Sequence, residues 1–193
     1  FEARAIGNFA SNNESGATPR RFAGILAWLT SNTSLGASGS NGGFSSGTVS
    51  AATNGTQRTF TEALLKSVLS TAFSNGGRPT QAYMGPAHKQ QASAFTGIAD
   101  IRADASGTKQ ATVYAAADMY VSDFGTITFN AHPYGLTRDC VIVDPTKAKV
   151  GTLDGWKSKD LASNGDNEKF MLTAEKTLVV ANEKAHAAIR DLT

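Results

Sequence analysis

The chain carries little charge of either sign. Its 193 residues include 18 Lys and Arg against 16 Asp and Glu, a net charge of +2. Charged residues make up 18% of the chain, below the quarter usual for globular proteins. No block of like charge stands out, so there is no electrostatic footprint for nucleic-acid binding. No apolar run comes near the length of a membrane-spanning helix, which argues against a membrane partner. There is one cysteine, Cys140, which rules out a disulfide framework within the chain. It lies in the apolar run Cys140–Val143 and reads as a small buried hydrophobe rather than a nucleophile. No signal peptide is read, and the chain begins at Phe1 rather than Met, so the expectation is an N-terminally truncated sequence.

Catalytic motifs are equally scarce. No glycine-rich loop ends in Gly-Lys-Ser/Thr. Gly36, Gly39, Gly42 and Gly43 fall in a low-complexity stretch rather than between a strand and a helix. His88, His132 and His186 lack paired ligand spacing. His88 and His186 fall on expected helices and read as surface or interface residues. Asp154, Asp160, Asp166 and Glu168 do not match a calcium loop and read as a solvated face. Sequons at Asn13, Asn32 and Asn54 are chance matches in an Asn/Ser/Thr-rich region. The expectation is a non-enzyme with no catalytic, cofactor-binding or metal residues and no cofactor.

What is present is a long run of strand pattern near the C-terminus, Lys169–Ala181. Extended, it would reach on the order of 40 Å at roughly 3.3 Å per residue, about twice a typical strand. Phe170, Leu172, Ala174, Leu178 and Val180 share one parity and therefore one face. Lys176 breaks that parity. It predicts either a bulge or bend in one long strand, or a turn at Glu175–Lys176 between two shorter ones. After this run, Asn182 is a good N-cap. Ala185, Ala188, Ile189 and Leu192 repeat at helical spacing, which predicts a short closing helix.

Upstream, helices and strands alternate. Phe1–Gly16 reads as the tail of a helix, and Phe22–Leu29 as a short second helix. Thr30–Gln57 is low in complexity, too poor in apolar residues to offset its own ordering entropy. It is expected to be either a solvated loop or an element ordered against a neighbouring subunit. Thr59–Asn75 has the clearest helical pattern: Thr59 to Glu62 fits a capping box, and Gly76-Gly77 ends it. Phe60, Leu64, Val68 and Ala72 form its stripe, widened by Leu65, Leu69 and Phe73. Pro79–Met84 predicts a strand, and Ala87–Thr96 a helix entered through Pro86. Ala111–Val121, the segment around Ile127 and Phe129, Cys140–Val143 and Val150–Leu153 predict strands. Asp123-Phe124-Gly125 is a turn and His132–Gly135 a loop. Helices and strands alternate first and strands then dominate, which reads as an α+β fold.

An ordered set of segments resembles the major capsid proteins of tailed bacteriophages and prophages. They are Glu2-Ala3, Arg21–Leu29 before the Gly/Ser/Thr-rich stretch, Phe60–Leu65, Gly76–Thr80, Gly85-Pro86 with Gln90-Gln91, and Phe95-Thr96-Gly97. Tyr120–Gly125, Val143-Asp144-Pro145, Asn164–Asp166 through Lys169, Thr177–Val180 and Asn182–His186 complete it. Together they cover nearly the whole chain.

The resemblance implies the Hong-Kong-97-type capsid fold, with an axial domain and a peripheral domain. On this mapping, residues 1–57 hold the end of a spine helix and the Gly/Ser/Thr-rich loop. Residues 58–144 form an axial-type domain. Residues 145–193 form a peripheral β-ribbon that returns to the axial domain. The implied function is a structural head protein that self-assembles, as pentamers and hexamers, into an icosahedral shell around phage DNA. Implied partners are further copies of the chain, scaffolding, portal and decoration proteins, and packaged DNA in non-specific contact. The implied location is the virion, assembled in the bacterial cytoplasm. The crosslinking lysine of some relatives lies in an extended loop that this sequence does not contain, so that chemistry is not carried over. Two other readings stay open on the residues alone: an encapsulin-type compartment shell and an extracellular β-rich adhesion module.

Overall fold

The computed structural model describes residues 1–95, 119–162 and 165–193. At its centre is a six-stranded mixed sheet in the order β1-β10-β7-β4-β6-β5. These strands are β1 (Thr33–Ser34), β4 (Gln81–Met84), β5 (Met119–Ser122), β6 (Gly125–Ala131), β7 (Cys140–Val143) and β10 (Ala187–Ile189). The run Cys-Val-Ile-Val of β7 is apolar at every position because both faces of the sheet are covered. Cys140 and Ile142 point into one core with Ala187 and Ile189. Val141 and Ala188 point into another on the opposite side.

The first core is closed by two helices, α3 (Glu62–Ser74) and α4 (Pro86–Ala92). Leu65, Val68, Leu69 and Ala72 of α3 pack there, with Phe60 edge-on to Phe95 at 5.1 Å between centroids. Phe73, expected within the stripe, lies outside it and is 44% exposed. The capping box is corrected. Thr61, not Thr59, is the N-cap, and its side chain makes no capping bond. Glu62 instead accepts from the buried Tyr120 hydroxyl at 2.8 Å and pairs with Lys66, so it serves the tertiary fold rather than its own helix end. Pro86 stands in the first turn of α4 as expected. That helix ends at Ala92. Thr96, Gly97 and the part of the expected strand over 111–118 lie outside the described residues.

The second core is covered by α2 (Ile25–Trp28), whose Ile25 and Leu26 are buried, and by the foot of a two-stranded ribbon. The helix tail expected over Phe1–Gly16 shrinks to α1 (Glu2–Ile6). The chain then runs extended, because Asn8 exchanges two hydrogen bonds with the backbone of Ala52, and Ser11 bonds Val49 through both backbone and side chain.

The expected closing helix is also corrected. A 3-10 turn covers Glu183–Ala185, with Asn182 accepting from the Lys184 amide, and the chain then enters β10. Ala185, Ala188, Ile189 and Leu192 are all buried, as the pattern suggested, but by strand pairing. β10 sits between β1 and β7 and bonds to both. Alanine's helix preference is worth only tenths of a kcal/mol per residue and yields to that pairing.

Thr30–Gln57 is not a simple solvated loop, since it makes ordered contacts within its own chain. It contains β1 and a hairpin, β2 (Gly43–Ser45) with β3 (Thr48–Ser50). Phe44 stacks on Trp28 at 5.9 Å. The rest is held by polar bonds to the chain's last residues. The buried Asp191 carboxylate accepts from the amides of Gly36 at 3.0 Å and Gly55 at 2.8 Å, and from Arg138 at 3.0 Å. Asn32 donates to the carbonyls of Lys184 and His186. Glycine allows the close approach: a Cβ on Gly36 would stand 2.1 Å from the Thr56 carbonyl oxygen. Hydrogen bonds thus do the ordering that apolar burial could not.

Candidate assembly surfaces

The expected Val150–Leu153 strand is far longer than its sequence pattern suggested. β8 (Ala148–Leu161) has 14 residues and pairs antiparallel with the 12 of β9 (Lys169–Val180). At roughly 3.3 Å per residue the ribbon is about 40 Å long. β9 is one continuous strand, so the turn at Glu175–Lys176 does not form. The irregularity that Lys176 predicts lies in its partner. Lys176 pairs with Thr152, Glu175 with Asp154, and Thr173 with Lys157, so β8 holds an extra residue at each of two register shifts. Each shift is a bulge that adds local twist and turns the following side chains over. The bulges bring Trp156 under Lys176, whose ammonium lies 5.1 Å from the ring centroid. A lysine on the apolar parity is accommodated in this way.

Only the foot of the ribbon is packed. Ala148, Leu178 and Val180 lie against the second core. Beyond it the ribbon exposes large apolar groups on both strands. Leu153 is 79% exposed, Phe170 73% and Trp156 68%, with Leu172 and Val150 more than half exposed. A lone two-stranded hairpin is marginal in water, and this much exposed apolar surface marks a contact site.

Between the ribbon and the N-terminal segment runs an open groove of about 930 Å³. Phe22, Leu153 and Trp156 line it, and Arg20 reaches across it to Glu175. Arg4 is tied to the carbonyls of Phe22 and Ala10. Desolvation, and then the neighbouring charge of Arg21, hold its pKa below the ordinary value.

The residues weighed for chemistry are scattered. Cys140 is fully buried, and burial pushes its thiol up to about 12, which leaves it unreactive. His132 lies in a loop and bonds to the backbone of Tyr134. His88 and His186 are corrected: neither is a surface residue. His88 is 1% exposed on α4. His186 is fully buried before β10, where its Nδ1 accepts from the Asp144 amide at 3.1 Å. Desolvation lowers the pKa of both. Among the described residues, no group of three or more His, Cys, Asp or Glu is placed to hold a metal ion. No helix among them is long and apolar enough to cross a membrane.

Sequence reasoning missed the polar clamp around Asp191, together with the buried pair of Arg190 and Asp139 at 3.1 Å. Its one visible trace was the sequence Arg-Asp inside an otherwise apolar ending.

An exposed apolar ribbon beside a double-faced sheet describes a subunit made for contact. Residues 1–193 match the family described as SU10 major capsid protein. The chain belongs to that family. It is a structural protein of a phage capsid, and its place is the virion. Capsid proteins of this kind are typically non-enzymatic, and they act by self-assembly into a shell. No curated protein matches the chain. The family match favours the phage reading over the compartment shell and the adhesion module. The mixed α+β architecture, with more strands than helices among the described residues, agrees with a capsid protein.

Proposed function

We propose that this chain is a shell subunit of the Hong-Kong-97 type, and that its ribbon is the main element of contact between copies. The supporting observation is the ribbon's combination of length, exposure and apolar content. An isolated hairpin of this kind gains little from folding alone, so its stability is best supplied by neighbours. In this reading residues 58–144, with β10 returning to their sheet, act as the axial part. Residues 145–193 act as the peripheral ribbon, returning to the axial sheet through β10, and residues 1–57 hold the end of the spine helix and the Gly/Ser/Thr-rich stretch. Copies assemble as pentamers and hexamers that close an icosahedral shell around phage DNA in the bacterial cytoplasm. Many modest contacts acting together make such a lattice stable through avidity. Scaffolding, portal and decoration proteins would act on this lattice, and contact with packaged DNA would be non-specific.

The test is expression of the capsid protein in bacteria, with negative-stain imaging and sedimentation of the product. Closed hollow particles are the expected outcome. A species that remains monomeric under all conditions would overturn the reading.

A further inference from the structure

Both roots of the ribbon meet at one buried histidine. β7 ends at Val143, and the turn Asp144–Lys147 carries the chain up into β8. β9 comes down at Val180, and Ala181 and Asn182 lead it into the 3-10 turn. The Ala181 amide donates to the Lys147 carbonyl at 2.9 Å and ties one root to the other. His186 follows the 3-10 turn and is fully buried. Its Nδ1 accepts from the Asp144 amide, so the descending root holds the first residue of the ascending one.

An accepting Nδ1 is bare, so the neutral ring carries its proton on Nε2. Nε2 is buried and has no hydrogen-bond partner among the described residues. A further proton from solvent therefore binds at Nδ1, where it turns a donor toward a donor and ends the bond to Asp144. The charged groups around the ring are already engaged. The Asp144 carboxylate accepts from the amide and hydroxyl of Thr146, at 2.9 and 2.7 Å, and shapes the turn into β8. The Glu183 carboxylate accepts from the amides of Thr30 and Ser31 and from the Ser31 hydroxyl. Lys147 and Lys184, the cations of the two roots, are exposed. Burial disfavours the charged ring and outweighs the two carboxylates and the Lys147 carbonyl, so the ring stays neutral until the pH lies below the ordinary histidine value of about 6.5. An imidazolium then draws the Asp144 carboxylate toward the ring and away from the Thr146 turn.

We propose that His186 is a proton-released pin: neutral, it fixes the angle at which the ribbon leaves the central sheet, and protonated, it lets the ribbon swing about its root. Little else fixes that angle. Ala148, Leu178 and Val180 pack only the foot. The ion pair from the N-terminal segment, Arg20 with Glu175, is exposed on both sides, and such pairs add little. The open groove beneath the ribbon leaves room for the movement. The pin acts within one subunit and so stands apart from the capsid reading; in a shell it sets the direction in which the ribbon meets its neighbours.

The test uses the full chain as unassembled subunit. Spin labels are placed at Ser158→Cys on the ribbon and Ser70→Cys on α3, both exposed positions, while the fully buried Cys140 takes no label. Ser158 pairs with Leu172, eight residues along β9 from Val180 and about 26 Å out at roughly 3.3 Å each. A swing of about 10° at the root moves that label by about 5 Å. Between about pH 7.5 and about pH 5, the measured distance should shift by that order in the labelled chain. His186→Gln keeps an acceptor for the Asp144 amide but does not titrate, so its distance should stay at the high-pH value. His88→Leu, which removes the other buried histidine, should leave the shift intact. A distance that ignores pH, a shift that persists in His186→Gln, or one that vanishes in His88→Leu would overturn the pin. Should His186→Gln fail to fold, hydrogen exchange of the Asp144 amide in the unaltered chain decides. Its protection falls by at least about tenfold as the pH drops over this range, and unchanged protection refutes the proposal.

Discussion

Replacing Asp191 with alanine removes a side chain that holds Gly36 and Gly55, near the two ends of the low-complexity segment. Its carboxylate is buried, with 1% of the side chain exposed. It accepts from the Gly36 and Gly55 amides and from Arg138, at 3.0, 2.8 and 3.0 Å. Hydrogen bonds to a charged group contribute about 1.5–3 kcal/mol each, and the two amides would be left without an acceptor. The Arg138 side chain is 32% exposed, so water partly replaces its share. Asp191 also has φ +59°, a left-handed conformation that costs alanine about 1 kcal/mol more than Asp or Asn. The loss expected for Asp191→Ala is therefore about 4 kcal/mol, or roughly 10 °C in Tm for a chain of this size. Asp191→Asn tolerates the left-handed backbone and keeps one acceptor oxygen, but it turns an amide donor toward other donors. It should cost about 1–3 kcal/mol. Denaturation of the unassembled subunit measures both. Hydrogen exchange at Gly36 and Gly55 should accelerate in the alanine variant before the central sheet opens. An Asp191→Ala subunit within about 0.5 kcal/mol of the unaltered one would refute the idea that this carboxylate orders the segment.

Stability should fall as pH drops below about 6.5, the ordinary histidine value. The folded state lowers the pKa of His88 and His186, chiefly by desolvation, so the unfolded chain takes up protons first. Their contribution is complete above the unfolded pKa and declines as pH falls toward the folded one. Protonation of His186 at Nδ1 would also turn a donor toward the Asp144 amide. Neither ring nitrogen of His88 meets hydrogen-bond geometry, even with the Leu136 carbonyl nearby. His88→Leu should therefore flatten the profile between pH 7 and 5 in denaturation series, and an unchanged slope would count against it.

Gly24→Ala should destabilise by about 2 kcal/mol or more, because its Cβ would stand 1.9 Å from the Gly7 carbonyl oxygen, which is backbone and cannot rotate away. Thermal denaturation measures this loss. Trp156→Ser should leave subunit stability within about 0.5 kcal/mol, since the ring is 68% exposed, yet lower particle yield by sedimentation. Equal yields would remove Trp156 from the contact surface.

What the sequence determined by itself was set by local pattern. Alternation along Lys169–Ala181 declared a long strand, and that strand exists. The apolar run Cys140–Val143 declared a strand buried on both faces. The stripe of α3 and the proline at the start of α4 each placed a helix, because spacing and backbone chemistry act within a few residues. The ordered set of short segments also carried the family, and with it the structural role.

Tertiary structure alone decided the remainder. Ala185–Leu192 has a helix's spacing, but an opening between β1 and β7 makes its middle a strand, since paired backbone outweighs a small propensity. Thr30–Gln57 has too few apolar residues to order itself. Its acceptors arrive from residues more than 130 positions away, at Lys184, His186 and Asp191. Lys176 announced an irregularity, but its location in β8 depends on a register between two strands, which neither strand encodes alone. The groove, likewise, exists only because α1 and the ribbon, far apart along the chain, face each other across it.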